Sequence, residues 1–246
     1  FGDYFSTDAA GVYTATALPT GTYFVLFRPS DTYVPEAYND HVLEADTYDY
    51  VPVTAPAVVS GIDAELAPGS RISGTVTDGA TGDPIEGVFV EILDLHGGRV
   101  ETDFTDAAGH YETPATLSAG TYKVIFNADD RNVSCAFVSE FYGDARTLES
   151  AAPVTVDADT TVAGVDGALE RGSIIFGHVT AEDTGAPITY GGVQFRSPSG
   201  KLESGGSLTF LGGYHSEALP NGTYTARFHD NGQGGYVDEY YNNVLS

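Results

Sequence analysis

The sequence predicts an all-β fold, a tandem of antiparallel β-sandwiches, and three observations carry that prediction. Blocks recur along the chain with a spacing of about a hundred residues, they alternate apolar and polar positions with period two, and Gly and Pro punctuate them where turns are needed. Helical periodicity with capping is not evident in the sequence.

Each unit is expected to open on a strand. RISGTVTD (71–78) returns as IIFGHVTA (174–181), an offset of 103 from residue 71 to residue 174, and the same offset carries TGDPI (81–85) onto TGAPI (184–188). A turn block follows as TDAAGVY (7–13), TDAAGHY (105–111) and a shortened TFLGGYH (209–215). Next come three copies of one strand, LPTGTYFVLF ending at Phe27, LSAGTYKVIF ending at Phe126 and LPNGTYTARF ending at Phe228. Positions two apart on it are Tyr23, Val25, Phe27; Tyr122, Val124, Phe126; and Tyr224, Ala226, Phe228, an apolar face in every copy. The alternate face varies and is expected to meet solvent. The Leu-x-x-Gly before it reads as a turn in which Gly takes a positive φ and Pro19 or Pro220 presets its own.

Downstream lie YVPEAYND (33–40), FVSEFYGD (137–144) and YVDEYYNN (236–243). A closing segment, SGIDAELAPGS (60–70), recurs as AGVDGALERGS (163–173). The expected domains are therefore a partial sandwich at 1–69 lacking its first strands, a complete one at 70–172, and a partial one at 173–246 lacking its last strand. A chain that begins with Phe and contains no Met is expected to have been cut from a longer precursor.

With 41% hydrophobic and 12% aromatic residues, the 246-residue chain can bury a core. Ten Lys and Arg stand against 35 Asp and Glu, a formal charge of −25. Phosphate recognition rests on clustered cations, so nucleic acid and anionic membrane surfaces are excluded as partners. No apolar run approaches the ~18 residues a membrane helix needs. The single cysteine, Cys135, cannot form an internal disulfide.

The order GTVTDGATGDPIEGVFVEI, TDAAGHYETPATLSAGTYKVIF, an aromatic-Glu-aromatic segment and PVTVDADTTVAGVDGALE resembles the carboxypeptidase regulatory-like repeats, in three successive passes. The resemblance implies seven-stranded prealbumin-like (Ig-like) sandwiches related to the Cna-B modules of bacterial surface proteins. It also implies an extracellular or cell-surface location and a role as stalk, spacer, adhesin segment or accessory domain. Some Cna-B modules carry a Lys to Asn or Asp isopeptide bond. The lysines here, Lys123 and Lys201, do not suit one in every unit.

The polar inventory does not converge on catalysis. His41, His96, His110, His178, His215 and His229 are scattered, and no H-E-x-x-H, G-x-S-x-G or Walker motif is present, so no enzyme activity is expected. His110 and His215 fall near equivalent places in the turn block. No cofactor is expected; Asp157-Ala-Asp159 and Asn127-Ala-Asp129-Asp130 are the stretches acidic enough to attract Ca²⁺, though neither forms a twelve-residue calcium loop.

The recurring polar position is Glu36, Glu140 and Glu239. Each is preceded by an aromatic, Tyr33, Phe137 and Tyr236, and followed by Tyr38, Tyr142 and Tyr241. These nine residues are the candidate repeat junction or ligand platform. The aromatics either fill the end of a sandwich or grip the next unit or a sugar. Asn132-Val-Ser134 and Asn221-Gly-Thr223 are glycosylation sequons. The expectation is a non-catalytic shaft, stalk or adhesive array at the cell surface, binding neighbouring repeats or copies of itself. The alternative is a polysaccharide-binding accessory module of a secreted enzyme.

Overall fold

The computed structural model describes residues 4–42, 48–128, 137–230, 235–241 and 244–245. Among these, regular structure is all strand.

The middle unit is a two-layer sandwich. Its larger sheet places Gly120–Asn127 against Phe89–Leu93, which pairs in turn with Arg99–Phe104, all antiparallel. The free edge of Gly120–Asn127 is shared by two short strands, Val154–Val156 on its first half and Glu140–Phe141 on its second. The other sheet centres on Arg71–Asp78, with His110–Glu112 antiparallel on one side. On its other side lie Thr161–Val162 and Gly167–Leu169, which run parallel to it. That departs from the antiparallel expectation. After pairing in one sheet at Val154–Val156, the chain crosses to the opposite sheet and continues in the direction of the opening strand. An alternating pattern defines the buried face of such a strand but not its direction.

The core lies between these layers. Ile72, Val76, Val88, Val90, Ile92, Val124, Phe126 and Leu169 are fully buried, each stabilising by roughly 1.5–3 kcal/mol relative to exposure. Tyr122, Val124 and Phe126 face inward as the alternation predicts, and Lys123 and Ile125 between them are half-buried. Tyr111 is buried with them and donates its hydroxyl to the Val165 carbonyl at 2.7 Å, tying the two edges of the sheet together across the opening strand.

The flanking units repeat parts of this plan. In the first, Gly21–Tyr23 pairs with Val51–Val53, and Leu26–Phe27, Glu36–Ala37 and His41–Val42 form a second small sheet. In the third, Gly192–Arg196 lies between Leu202–Ser207 and Thr225–His229, which continues to Glu239–Tyr240 and Val244–Leu245. Phe176–His178 pairs with Gly213–His215. The opening strand of this unit is thus three residues long where the sequence block spans eight.

Two local expectations are corrected. Gly21, Gly120 and Gly222 do not have positive φ. An added Cβ there would meet the side chain of the Tyr two residues on at 3.5, 3.4 and 3.3 Å. That ring folds back so that Tyr23, Tyr122 and Tyr224 donate their hydroxyls to the carbonyls of Pro19, Ser118 and Pro220. The glycine makes room for a tyrosine that secures its own turn, as tyrosine corners do in other sandwiches. The positive φ belongs to the turn block instead, at Gly11 (79°), Gly109 (72°) and Gly212 (71°).

In that block Asp8 and Asp106 accept backbone N–H bonds from residues two and four further on. Thr209 takes their place in the third copy and accepts from Gly213. Gly213 therefore corresponds to His110, and His215 corresponds to Glu112: the two histidines are not equivalent.

Candidate functional site: repeated short strands and unit junctions

Each aromatic-Glu-Tyr block forms a short strand on the neighbouring Gly-Thr-Tyr strand, in the same register three times; it ends its sheet in the middle unit and is followed by one further strand in the first and third. Glu36 faces Phe27, Glu140 faces Phe126 and Glu239 faces Phe228. The amides of Tyr38, Tyr142 and Tyr241 donate to Val25, Val124 and Ala226 at 3.0, 2.9 and 2.9 Å.

Their exposure differs from copy to copy. In the middle unit Phe137 and Glu140 are buried and Tyr142 packs against the core. Burial, with Asp144 nearby, pushes the Glu140 carboxyl above its usual range, and the Ala168 N–H bonds to it. Burial also raises Glu36, with Asp40 adding to the effect. Tyr33, Tyr236 and Tyr241 are exposed. Each triple therefore lies on or beside the short strand that pairs with its own Gly-Thr-Tyr strand.

The blocks also reach the junctions between units, and the two junctions are built alike. At the first, Tyr33 bridges to Pro68, the Val34 amide donates to Ala67, and Ser70 exchanges both backbone bonds with Leu117 of the next unit. At the second, 103 residues on along the linker, Phe137 bridges to Arg171, the Val138 amide donates to Glu170, and Ser173 exchanges both bonds with Leu219. A glycine lies between the two bridges each time. A Cβ on Gly69 would sit 2.0 Å from the Ala115 carbonyl oxygen, and one on Gly172 would sit 2.8 Å from Val138 and 2.9 Å from the Leu219 carbonyl oxygen. Three linker residues are thus hydrogen-bonded to the unit behind and the unit ahead, with no room for a side chain between.

Charge reinforces the second junction. Arg171 bonds the buried carboxylate of Asp78 at the end of the opening strand and stacks over Phe137 at 5.6 Å. The Arg171 guanidinium and the Ala80 N–H hold Asp78 below the usual carboxylate range. Arg146 of the middle unit meets Glu170 in the linker at 2.8 Å. A cleft of about 620 Å³ opens here, lined by Val138, Arg146, Lys201, Glu203, Pro220 and Tyr224.

The remaining sequence candidates are placed as follows. Asn221 is exposed in the turn at the lip of that cleft. Asn132, Cys135, Asp129 and Asp130 lie outside the described residues. Lys123 donates to the Ala151 carbonyl and Lys201 pairs with Glu203 at 2.9 Å. The Asp157 carbonyl accepts hydroxyls from Ser70 and Thr160. Among the described residues no three His, Cys, Asp or Glu side chains come together as a metal group, and no helix is long and apolar enough to cross a membrane. Tyr33 and Phe137 were among the junction candidates read from the sequence; the part played by the linker was not, although the recurring Gly-Ser at 69–70 and 172–173 was the signal for it.

The model of the carboxypeptidase regulatory-like domain matches residues 71–134, so the resemblance carried by the G-x-V-x-D-x-x-T-G-x-P-I and T-D-x-x-G-x-Y motifs holds for that segment. No curated protein matches the chain. Among solved structures it is similar to the Bacillus anthracis TIE protein, at 15% identity and a TM-score of 0.32. That match covers 93% of this chain and spans 40% of that protein's length. It is also similar to a streptococcal ancillary pilin, at 13% identity and TM-score 0.33, over 87% of this chain and 67% of the other. The shaft pilin SpaA from Lactobacillus rhamnosus GG matches at 11% identity and TM-score 0.29, over 72% of this chain and 93% of that one. At such scores the similarities add nothing to the functional argument, which rests on the junctions.

Proposed function

We propose that the chain is a non-catalytic structural segment of an extracellular surface protein, a shaft or stalk built from repeated sandwiches. The observation that carries this reading is the junction made twice with the same bridges and the same spacer-free glycine. Quasi-linear arrays gain length by repeating one contact between neighbours, whereas a ligand site needs one unit to differ chemically from the rest. A net charge of −25 keeps such chains hydrated and apart except where backbone pairing brings them together. The partners are neighbouring units or further copies, and no cofactor has a role.

The test is a distance measurement across the second junction, between spin labels at exposed sites of the middle and third units. A narrow distribution that broadens in Gly172→Val is expected. A broad distribution in the unaltered protein, with retention on a polysaccharide column, would overturn the shaft in favour of an accessory binding module.

A further inference from the structure

Equivalent turns precede the three Gly-Thr-Tyr strands, and the third of them carries a sequon. The residue before the glycine is Thr20 in the first unit, Ala119 in the second and Asn221 in the third, where it completes Asn221-Gly-Thr223. All three are exposed, and so are Thr22, Thr121 and Thr223 two places on. Thr20 and Ala119 remain exposed although Val51–Val53 and Val154–Val156 pair along the strands that follow them. Exposure is therefore a property of the turn and does not depend on what lies beside its strand. The turn is also closed by its own tyrosine, since the Tyr224 hydroxyl donates to the Pro220 carbonyl at 2.6 Å.

Asn221 stands at a junction that repeats the first in backbone but not in chemistry. The Val138 and Val34 amides donate to Glu170 and Ala67, and the Ser197 and Asp94 amides donate to Lys201 and Gly98. Ala145 pairs with Phe141 as His41 pairs with Ala37, which sets Arg146 in the place of Val42. Arg146, Glu170 and Lys201 thus replace Val42, Ala67 and Gly98. Arg146 pairs with Glu170 at 2.8 Å and Lys201 with Glu203 at 2.9 Å, and both cations carry more N–H donors than these pairs use. Asn221 shares the wall of the cleft with Lys201 of its own unit and with Ser139 and Arg146 of the middle one. Sugar hydroxyls both donate and accept, and a wall of cations, carboxylates and hydroxyls answers both needs.

We propose that Asn221 is the acceptor of an N-linked oligosaccharide whose first sugars lie against Ser139 and Arg146 of the middle unit. The donor is an oligosaccharide carried on a polyprenyl diphosphate and transferred by a membrane-bound oligosaccharyltransferase. Asn221 Nδ2 bonds to the anomeric carbon as the bond from that carbon to the diphosphate oxygen breaks. The diphosphate leaves with the electron pair, and the amide proton passes to a base on the transferase. The transferase reads the Thr223 hydroxyl, which the turn leaves in the open. A glycan here adds a bulky, hydrated brace at one junction of the chain and none at the other. The proposal goes beyond the shaft reading and does not depend on it.

The test uses the full-length chain secreted from a glycosylating eukaryotic cell line, with Asn132→Gln removing the other sequon. Peptide mass spectrometry after peptide-N-glycosidase treatment in heavy-oxygen water should show Asn221 converted to labelled aspartate. Thr223→Ala should abolish the modification, and Thr223→Ser should retain it. Ala119→Asn, which completes the same sequon in the middle unit's exposed turn, should gain a second glycan. For the contact with the middle unit, spin labels on exposed sites of the second and third units, in a chain also carrying Cys135→Ser, read the distance across the junction. The distribution should be roughly twofold narrower in the glycosylated chain than in Thr223→Ala, because a seated glycan restricts the two units. An unmodified Asn221 would overturn the site, and equal widths would overturn the contact. Either result leaves the shaft reading to its own test at Gly172.

Discussion

Ile72, Val76 and Phe126 are fully buried in the middle unit, while Ile175, Val179 and Phe228, their counterparts in the third, are half-exposed. The first unit tells the same story: Phe27 and Tyr13 are half-exposed where Phe126 and Tyr111 are buried. The residues are alike and the strands they occupy have corresponding registers. What differs is the second layer. In the middle unit the closing segment covers the edge of the opening strand and Leu169 reaches the core; among the described residues, no strand does so in either flanking unit. Period-two patterning prepares a face for burial, but only an opposing sheet removes it from water.

That comparison can be broken most severely in the core. Phe126→Ala should cost about 3–5 kcal/mol, and Phe228→Ala about 1–2 kcal/mol, because a half-exposed ring loses less apolar burial. Hydrogen exchange resolved by unit would read the two separately, and equal losses would refute the difference in layering.

A smaller effect separates the two tyrosines. Tyr111→Phe leaves the buried Val165 carbonyl without its donor and should cost about 1–3 kcal/mol. Tyr214→Phe should leave thermal stability unchanged within about 0.5 kcal/mol in dilute protein. If Tyr214→Phe matched Tyr111→Phe, the third unit would already possess a covered opening strand.

The smallest effects are in pH dependence, and the two buried carboxyls differ in sign. Glu140 is held above its ordinary range by burial, so its favourable contribution is complete below the unfolded value and is lost as pH rises through the folded one. Glu140→Gln should therefore raise the melting temperature at pH 7 and give no gain near pH 4. Asp78 is held low by Arg171 and the Ala80 amide, so its contribution is present above the ordinary aspartate value and is lost as pH falls through the folded one. Asp78→Asn should lower the melting temperature at pH 7, with the deficit disappearing on acidification. Melting curves at both pH values check the pair, and a shared sign would contradict the assigned environments.

Much of this architecture was legible before folding. The 103-residue offset, the inward Tyr-x-Val-x-Phe of the central strand and the threefold aromatic-Glu-Tyr block all recur in the backbone pairing, because repeated spacing forces repeated register. The histidine comparison failed because the shortened third turn block was aligned on its His rather than on Gly212, whose left-handed φ anchors the turn. The use of Gly69, Gly172 and Gly74 was not legible either. Each is required by a carbonyl or side chain that comes from tens of residues away and approaches where a Cβ would be.

The sequence alone determined the strand content, the repeat and the faces of the strands, since these follow from period, propensity and turn residues acting over a few neighbours. The tertiary structure decided the parallel course of the closing segment, the burial of Glu140 against the exposure of Tyr241, and the rebuilding of one junction at both linkers. Those depend on which backbone lies across an edge, a relation between distant segments that becomes definite only once the layers have packed.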